Sequence, residues 1–172
     1  QTGSVIDELR QFTDDKLLVS KIENSEGLNN VDDIISRSDA IMIDRGDLAA
    51  EIGFDTLYNA VEKITLGTKS QGKPLIMATE NLETMSVRET PSKSEVMSLA
   101  HSVSIGADCI MLSEETAISD NACHTVEWLN DFLRSADIKI RPIVRTKRYQ
   151  KYGAIWEIIG QHEDIPFILM TK

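Results

Sequence analysis

The sequence is poor in cysteine and has no long apolar runs. Its 2 cysteines, Cys109 and Cys123, are not spaced like a metal-binding or redox motif, so we expect two reduced thiols. No apolar run reaches the roughly 18 residues of a membrane span, and no signal peptide opens the chain. These absences predict a cytoplasmic protein without a membrane partner.

Positive charge is also scarce. The chain has 18 Lys and Arg residues against 28 Asp and Glu, which gives a formal net charge of −10. Such a chain repels the phosphates of nucleic acids, so we expect no nucleic-acid partner. A small anion, such as a phosphate ester, would need a local positive group or a metal ion to bind.

Four short apolar runs alternate with segments of helical periodicity. The runs begin near residues 17, 40, 74 and 109, the last of them covering 109–112, and a helix of ten or more residues is predicted after each. This alternation predicts an α/β fold of successive βαβ units with a parallel sheet. An open doubly wound sheet and part of a (β/α)₈ barrel both fit the pattern, although no glycine-rich dinucleotide-binding motif follows any strand.

Local signals place several further elements. A helix is predicted over residues 4–14, another opens at Gly27, a long one covers 54–70, and the last covers about 123–133. Residues 45–48 are predicted to form a turn, and residues 80–90 an irregular segment. Ser92 and Glu95 have the spacing of a capping box at the start of a helix.

The pattern changes near residue 137. Residues 1–136 carry the repeated strand and helix pattern, whereas the following segment is locally basic and interrupted by Pro142. A helix over 154–160 and a strand over 165–170 are predicted after it. We interpret residues 137–172 as a linker and the possible start of a C-terminal α/β domain.

Charged side chains emerge at the ends of the first two strands. Lys21 and Glu23 are two residues apart, so in a strand they share one face. Glu23 and Asp47 follow successive strands and could together hold a hard cation such as Mg²⁺. A buried ion pair of Glu23 with Lys21 or Arg45 is the open alternative.

Other candidate residues also lie at strand ends. The ammonium group of Lys21 could stabilise a transferring phosphoryl group or an enolate oxygen, or could simply extend to solvent. Gly46 would let backbone amides approach an anion closely. The hydroxyl groups of Thr79 and Ser113 could donate to an oxyanion or relay a proton, or could be local caps.

Four segments match, in order, the signature motifs of one enzyme family. They are SKIENSEG (20–27), IMIDRGDL (41–48), GKPLIMAT (72–79) and GADCIMLSEETA (106–117). Over about residues 15–136 the sequence resembles pyruvate kinase, and four motifs in register are strong evidence. The resemblance implies the fifth to eighth βα units of a (β/α)₈ barrel, that is, a half-barrel. Residues 154–171 resemble, weakly, the start of the family's regulatory domain.

The resemblance implies a glycolytic phosphotransferase that converts phosphoenolpyruvate and ADP to pyruvate and ATP. It implies that Lys21 stabilises the transferring phosphoryl group and the enolate, and that Glu23 and Asp47 bind Mg²⁺. The family also uses K⁺, but its ligands, and much of the nucleotide site, do not match any part of this sequence.

The resemblance extends to the substrate. It implies that Arg45, Gly46 and Asp47 bind the substrate, and that the backbone amides of Gly46 and Asp47 hold its carboxylate. The Thr79 hydroxyl is expected to contact substrate, and the Ser113 hydroxyl to belong to a proton-relay region.

The sequence departs from the family pattern near the site. Asp44 stands where the family usually has a small residue, Ala49 and Glu114 replace glycine, and Glu80 with Asn81 replaces Gln-Met. Three of these changes add a carboxylate, which should repel an anionic substrate or demand an extra cation.

A half-barrel cannot close alone and leaves two sheet edges exposed. We therefore expect self-association as a homo-oligomer, a complementary chain, or a longer parent protein. Two other functions stay open: a catalytically degenerate binding or scaffold module, and a metal-dependent aldolase or lyase acting on pyruvate.

Overall fold

The computed structural model describes residues 2–13 and 16–138. The helix and strand predicted between residues 154 and 170 lie outside these described residues. In chain order the elements are α1 (Gly3–Thr13), β1 (Val19–Ile22), α2 (Ser25–Asn29), α3 (Val31–Arg37), β2 (Ala40–Asp44), α4 (Arg45–Ile52), α5 (Phe54–Ser70), β3 (Leu75–Ala78), a 3₁₀ turn (Glu83–Ser86), α6 (Lys93–Ser104), β4 (Cys109–Ile110), α7 (Glu114–Ala117) and α8 (Ala122–Ser135).

The strands form one parallel sheet in the order β1-β2-β3-β4. Lys21 pairs with Met42, and Asp44 with Ala78, so the strand ends that carry polar groups lie next to one another. The predicted α/β class and parallel sheet are confirmed, and the arrangement is consistent with half of a (β/α)₈ barrel.

Apolar side chains pack on both faces of the sheet. One face packs against the helices and forms the main core, which includes the fully buried Ile22, Ile43 and Leu75. The other face carries a smaller cluster of Ile76, Ala78, Cys109 and Met111, with Met42 packed against it. Because both faces are packed, the central strands are continuous apolar runs rather than alternating ones.

The segment after β1 differs from the prediction. A single helix opening at Gly27 is wrong, because two short helices, α2 and α3, occupy this segment and the first begins at Ser25. The side chain of Asn24 accepts a hydrogen bond from the Gly27 amide (2.8 Å), which starts the helix earlier. Asn30 interrupts the helix between α2 and α3, so the expected ten-residue helix is absent from this described segment.

Two other local predictions are corrected. The turn predicted at residues 45–48 is wrong, because Arg45 is already the first residue of α4 and the Asp44 carboxylate caps that helix. The fourth strand is shorter than the predicted 109–112, since only Cys109 and Ile110 lie in the strand. The predicted capping box is confirmed, with Ser92 and Glu95 bonded to each other's backbone amides.

The described helices include none that is long and apolar enough to cross a membrane.

A buried lysine ties the start of β3 to the end of α3. The Lys73 side chain is 2% exposed, and its ammonium group donates to the carbonyl oxygens of Ile35, Ser36 (2.9 Å) and Ser38 (2.7 Å). These carbonyls belong to the last turn of α3 and the residue that caps it, where a positive charge is favourable. The lysine therefore satisfies acceptors that would otherwise be buried without a partner.

We expect Lys73→Met to lower the free energy of unfolding by about 2–3 kcal/mol, because buried carbonyls lose a charged donor. Urea denaturation measures the change. Lys63→Met is the matched control, since Lys63 is exposed and makes one long hydrogen bond to Leu28 (3.4 Å), and it should change stability by about 0.5 kcal/mol or less. Equal effects of the two variants would contradict the capping role.

Candidate functional site

A cleft of about 630 Å³ lies at the carboxyl ends of the strands. Its wall includes one polar residue from the end of each strand or just beyond it: Lys21, Asp44, Thr79 and Ser113. The carboxyl ends of parallel strands meet at one edge, and ligands of α/β proteins bind at that edge. The cleft is therefore the candidate site.

The ammonium group of Lys21 lies among three carboxylates. Its Nζ atom is 2.7 Å from Glu23 Oε2, 2.7 Å from Asp44 Oδ2 and 3.8 Å from Asp47 Oδ2. Lys21 and Glu23 thus share a face, as their spacing predicts, and the ion pair kept open as an alternative is present. Hydrogen bonds to Asp44 and then Glu23 raise the pKa of Lys21 despite its partial burial, so the side chain is fully charged.

Asp44 is the most connected of the three carboxylates. Its side chain is 5% exposed, and Oδ1 accepts hydrogen bonds from Thr79 Oγ1 (3.0 Å) and from the Asp47 amide (3.2 Å). Burial alone would raise its pKa, but the hydrogen bonds from Lys21, Asp47 and Thr79 hold that pKa below its usual value. In the sequence Asp44 stands out only as a departure from the family pattern, whereas the structure places it in the site. The two-residue period of a strand does indicate this position, because Asp44 follows Met42 by two residues and so lies on the same face.

The backbone amides of Gly46 and Asp47 already have acceptors within the protein. The Gly46 amide donates to Thr79 Oγ1 (2.9 Å), and the Asp47 amide donates to Asp44. A Cβ atom at Gly46 would meet Thr79 Oγ1 at 3.5 Å, an ordinary contact, so close packing within this structure does not itself require glycine there. These are the two amides that the resemblance assigns to a substrate carboxylate.

Arg45 points into the protein instead of lining the cleft. Its guanidinium donates to Ser98 Oγ (2.6 Å), to the Thr79 carbonyl (2.7 Å) and to Asn81 Oδ1 (2.7 Å), with a longer bond to Ala78. Burial lowers the pKa of Arg45. The structure therefore gives this arginine protein partners in the loop that follows β3.

That loop has an unusual backbone. Thr79, Glu80 and Leu82 have φ angles of 60°, 52° and 61°, in the left-handed region that disfavours residues with side chains. Asn81 is 1% exposed, and its amide group donates to two backbone carbonyls at 3.2 and 2.9 Å while its oxygen accepts from Arg45. These bonds hold the strained loop, and the strained loop directs the Thr79 hydroxyl toward Asp44 and Gly46.

The lining of the cleft is acidic. It includes Glu80, Glu83, Glu114 and Glu115, and Lys21 is the single basic side chain among the lining residues that the structure describes. Burial, together with the charges of Glu83 and Glu114, raises the pKa of Glu115. The sequence does not predict that Glu83 lines the cleft, because only the folded loop brings that side chain back to the strand ends.

Ser113 also lines the cleft. Its Oγ atom is buried and has no hydrogen-bond partner among the described residues. An unpartnered hydroxyl beside a cleft is free to donate to, or accept from, a bound molecule.

The carboxylates beside Lys21 fit a hard divalent cation. Oxygen atoms of Glu23, Asp44 and Asp47 all lie within 4.8 Å of one another, and carboxylates are the ligands that Mg²⁺ prefers in proteins. Glu23 and Asp47 are those predicted from the sequence, and the structure adds Asp44. The Lys21 ammonium contacts an oxygen of each of these three residues, so a cation would compete with it.

Comparisons with known proteins agree with the resemblance. A family model described as "Pyruvate kinase, barrel domain" matches residues 3–126. The chain is 35% identical over 133 residues to a pyruvate kinase of Encephalitozoon cuniculi, a match that covers 77% of this chain and 31% of that protein. It is 42% identical over 129 residues to a pyruvate kinase of Leishmania mexicana, with 75% and 26% covered. A cytosolic pyruvate kinase isozyme of Nicotiana tabacum is 45% identical over 101 residues, with 59% and 20% covered.

The chain thus spans less than a third of the length of these relatives.

We expect Arg45→Met to destabilise the protein by about 2–4 kcal/mol, because Ser98 and the part-buried acceptors of the strained loop lose a charged donor. Chemical denaturation measures the loss. Arg88→Met removes an exposed arginine and serves as the control, with a change of about 0.5 kcal/mol or less. An Arg45 variant as stable as the control would instead favour the substrate-binding role implied by the resemblance.

Proposed function

The chain belongs to the pyruvate kinase family, and we propose that it carries the metal and enolate half of a site that transfers a phosphoryl group between phosphoenolpyruvate and ADP. The arrangement that carries the proposal is the Lys21 ammonium between Glu23 and Asp47, in the same cleft as Thr79 and Ser113. The coincidence of these groups with four family motifs supports it.

In this proposal the carboxylates of Glu23 and Asp47 hold Mg²⁺. When bound, Mg²⁺ would neutralise negative charge on substrate oxygens. Lys21 stabilises the charge that develops on the enolate oxygen as the phosphoryl group leaves, since a fixed cation acts most strongly where charge appears. The Thr79 hydroxyl contacts the substrate, and the unpartnered Ser113 hydroxyl passes a proton toward the enolate carbon.

The rest of the site would come from outside this half-barrel. Strands β1 and β4 are sheet edges within the described structure, and a closed barrel needs eight strands. Beside β1, the apolar side chains of Val5, Leu9 and Val19 are 47%, 47% and 44% exposed, which supports coverage by further protein. We propose that a complementary half-barrel, in the same chain or a partner chain, supplies this cover together with the K⁺ and nucleotide-binding groups. The cytoplasm is its proposed location.

A binding module without catalytic activity is the second candidate. The amides of Gly46 and Asp47 are already bonded to protein groups, and the cleft wall is acidic. Both observations weaken the hold on an anionic substrate, and so favour a family member that binds a ligand or partner without turning it over.

We expect Lys21→Met to lower the rate of phosphoryl transfer by about 100-fold or more, because the developing charge loses its fixed cation. The assay follows pyruvate formation in the full-length protein, or with the complementary half-barrel supplied. Lys16→Met, which removes an exposed lysine before β1, should leave the rate unchanged. Equal rates in the two variants would exclude the role of Lys21. A wild-type protein that binds Mg²⁺ and phosphoenolpyruvate without transfer would support the binding module.

A further inference from the structure

The Asp44 carboxylate occupies donors that an anionic ligand would use. Its Oδ2 atom lies 2.7 Å from the Lys21 ammonium, and its Oδ1 atom accepts a hydrogen bond from the Asp47 amide (3.2 Å). In the proposed function, on which this inference rests, the same ammonium stabilises the enolate oxygen, and the resemblance assigns the same amide to the substrate carboxylate. We propose that Asp44 is a specificity-determining residue, which stands in for an anion at this centre and makes the centre prefer a divalent cation over a carboxylate or phosphate ligand.

Asp44 is held more firmly than the other two carboxylates. It is the last residue of β2, pairs with Ala78 in the sheet, and accepts a bond from the Thr79 hydroxyl at 3.0 Å. Its side chain is 5% exposed, whereas those of Glu23 and Asp47 are 28% and 68% exposed. Glu23 and Asp47 can therefore turn toward a metal ion, while Asp44 stays on Lys21.

The charges lead to the same preference. Three carboxylates around one ammonium leave two net negative charges, and one divalent cation cancels them. The loaded centre then has no excess positive charge with which to attract an anion. If Asp44 were uncharged, the same loaded centre would carry one net positive charge.

Helix capping alone does not explain an aspartate at this position. Asp44 caps α4 through its bond from the Asp47 amide, but asparagine caps a helix about equally well. Beyond the cap, the negative charge acts on Lys21 and on a bound cation. Asp44→Asn keeps the cap and removes the charge, whereas Asp44→Ala removes both and frees the amide.

Calorimetry on the 172-residue chain tests the proposal. Mg²⁺ is titrated alone, and phosphoenolpyruvate is then titrated at saturating Mg²⁺. In both Asp44 variants the Kd for Mg²⁺ should rise about tenfold, because a charge beside the cation is lost. Affinity for phosphoenolpyruvate should rise about tenfold in Asp44→Ala and less in Asp44→Asn, whose side-chain oxygen still accepts the Asp47 amide.

Glu127→Gln is the control for general charge, since Glu127 is an exposed residue of α8 that does not line the cleft. It should shift either Kd by less than about threefold. Asp44 variants that bind both ligands as the wild type does, or as Glu127→Gln does, would overturn the proposal, and so would a wild-type chain that binds no Mg²⁺. Circular dichroism checks folding, and Asp44→Asn still decides the charge effect if Asp44→Ala does not fold.

Failure of the proposed function can be told apart from failure of the inference about Asp44. A chain whose Mg²⁺ affinity depends on Asp44 but that transfers no phosphoryl group, with the complementary half-barrel supplied, would leave this inference intact. Phosphoryl transfer by the chain, together with Asp44 variants that bind Mg²⁺ as the wild type does, would overturn the inference about Asp44 and leave the proposed function intact.

Discussion

The site depends on the ion pairs between Lys21 and the carboxylates at the ends of two neighbouring parallel strands. Lys21 lies beside Met42 in the sheet, and its side chain reaches forward to Asp44, two residues further along β2 on the same face. A carboxylate that is nearly buried, as Asp44 is, costs free energy unless it is paired and hydrogen-bonded. The ammonium, the Thr79 hydroxyl and the Asp47 amide together meet that cost, so the ends of β1, β2 and β3 are bound to one another through one carboxylate.

The loop after β3 extends this constraint. A left-handed backbone at Thr79 and Glu80 is unfavourable, and persists only where surrounding contacts hold it. Arg45, the first residue of α4, supplies one set of those contacts. The buried Asn81 supplies the other, through the carbonyls of Met77 in β3 and Met111 just after β4. The arginine that follows β2 thereby fixes the hydroxyl that follows β3, although it does not line the cleft itself.

Asp44 and Asn81 both occur where the chain departs from the family pattern, and the structure shows each of them integrated into the fold. Asn81 gives Arg45 an acceptor, and Asp44 gives Lys21 and a helix N-terminus an anion. These two departures are therefore part of a consistent polar network. The acidic cleft beside them favours cations over anions, since negative groups raise the local concentration of cations.

Much of the architecture follows from local sequence pattern. Apolar runs and helical periodicity predict the four strands and the long helix Phe54–Ser70, because both signals depend on neighbours along the chain. The two-residue repeat of a strand is enough to place Lys21 and Glu23 on one face. The partners of Arg45, the ion pair of Asp44 with Lys21 and the approach of Glu83 to the cleft were decided by the tertiary structure. Each joins residues from different strands or loops, and their distances exist only once the sheet has set the order and register of those strands.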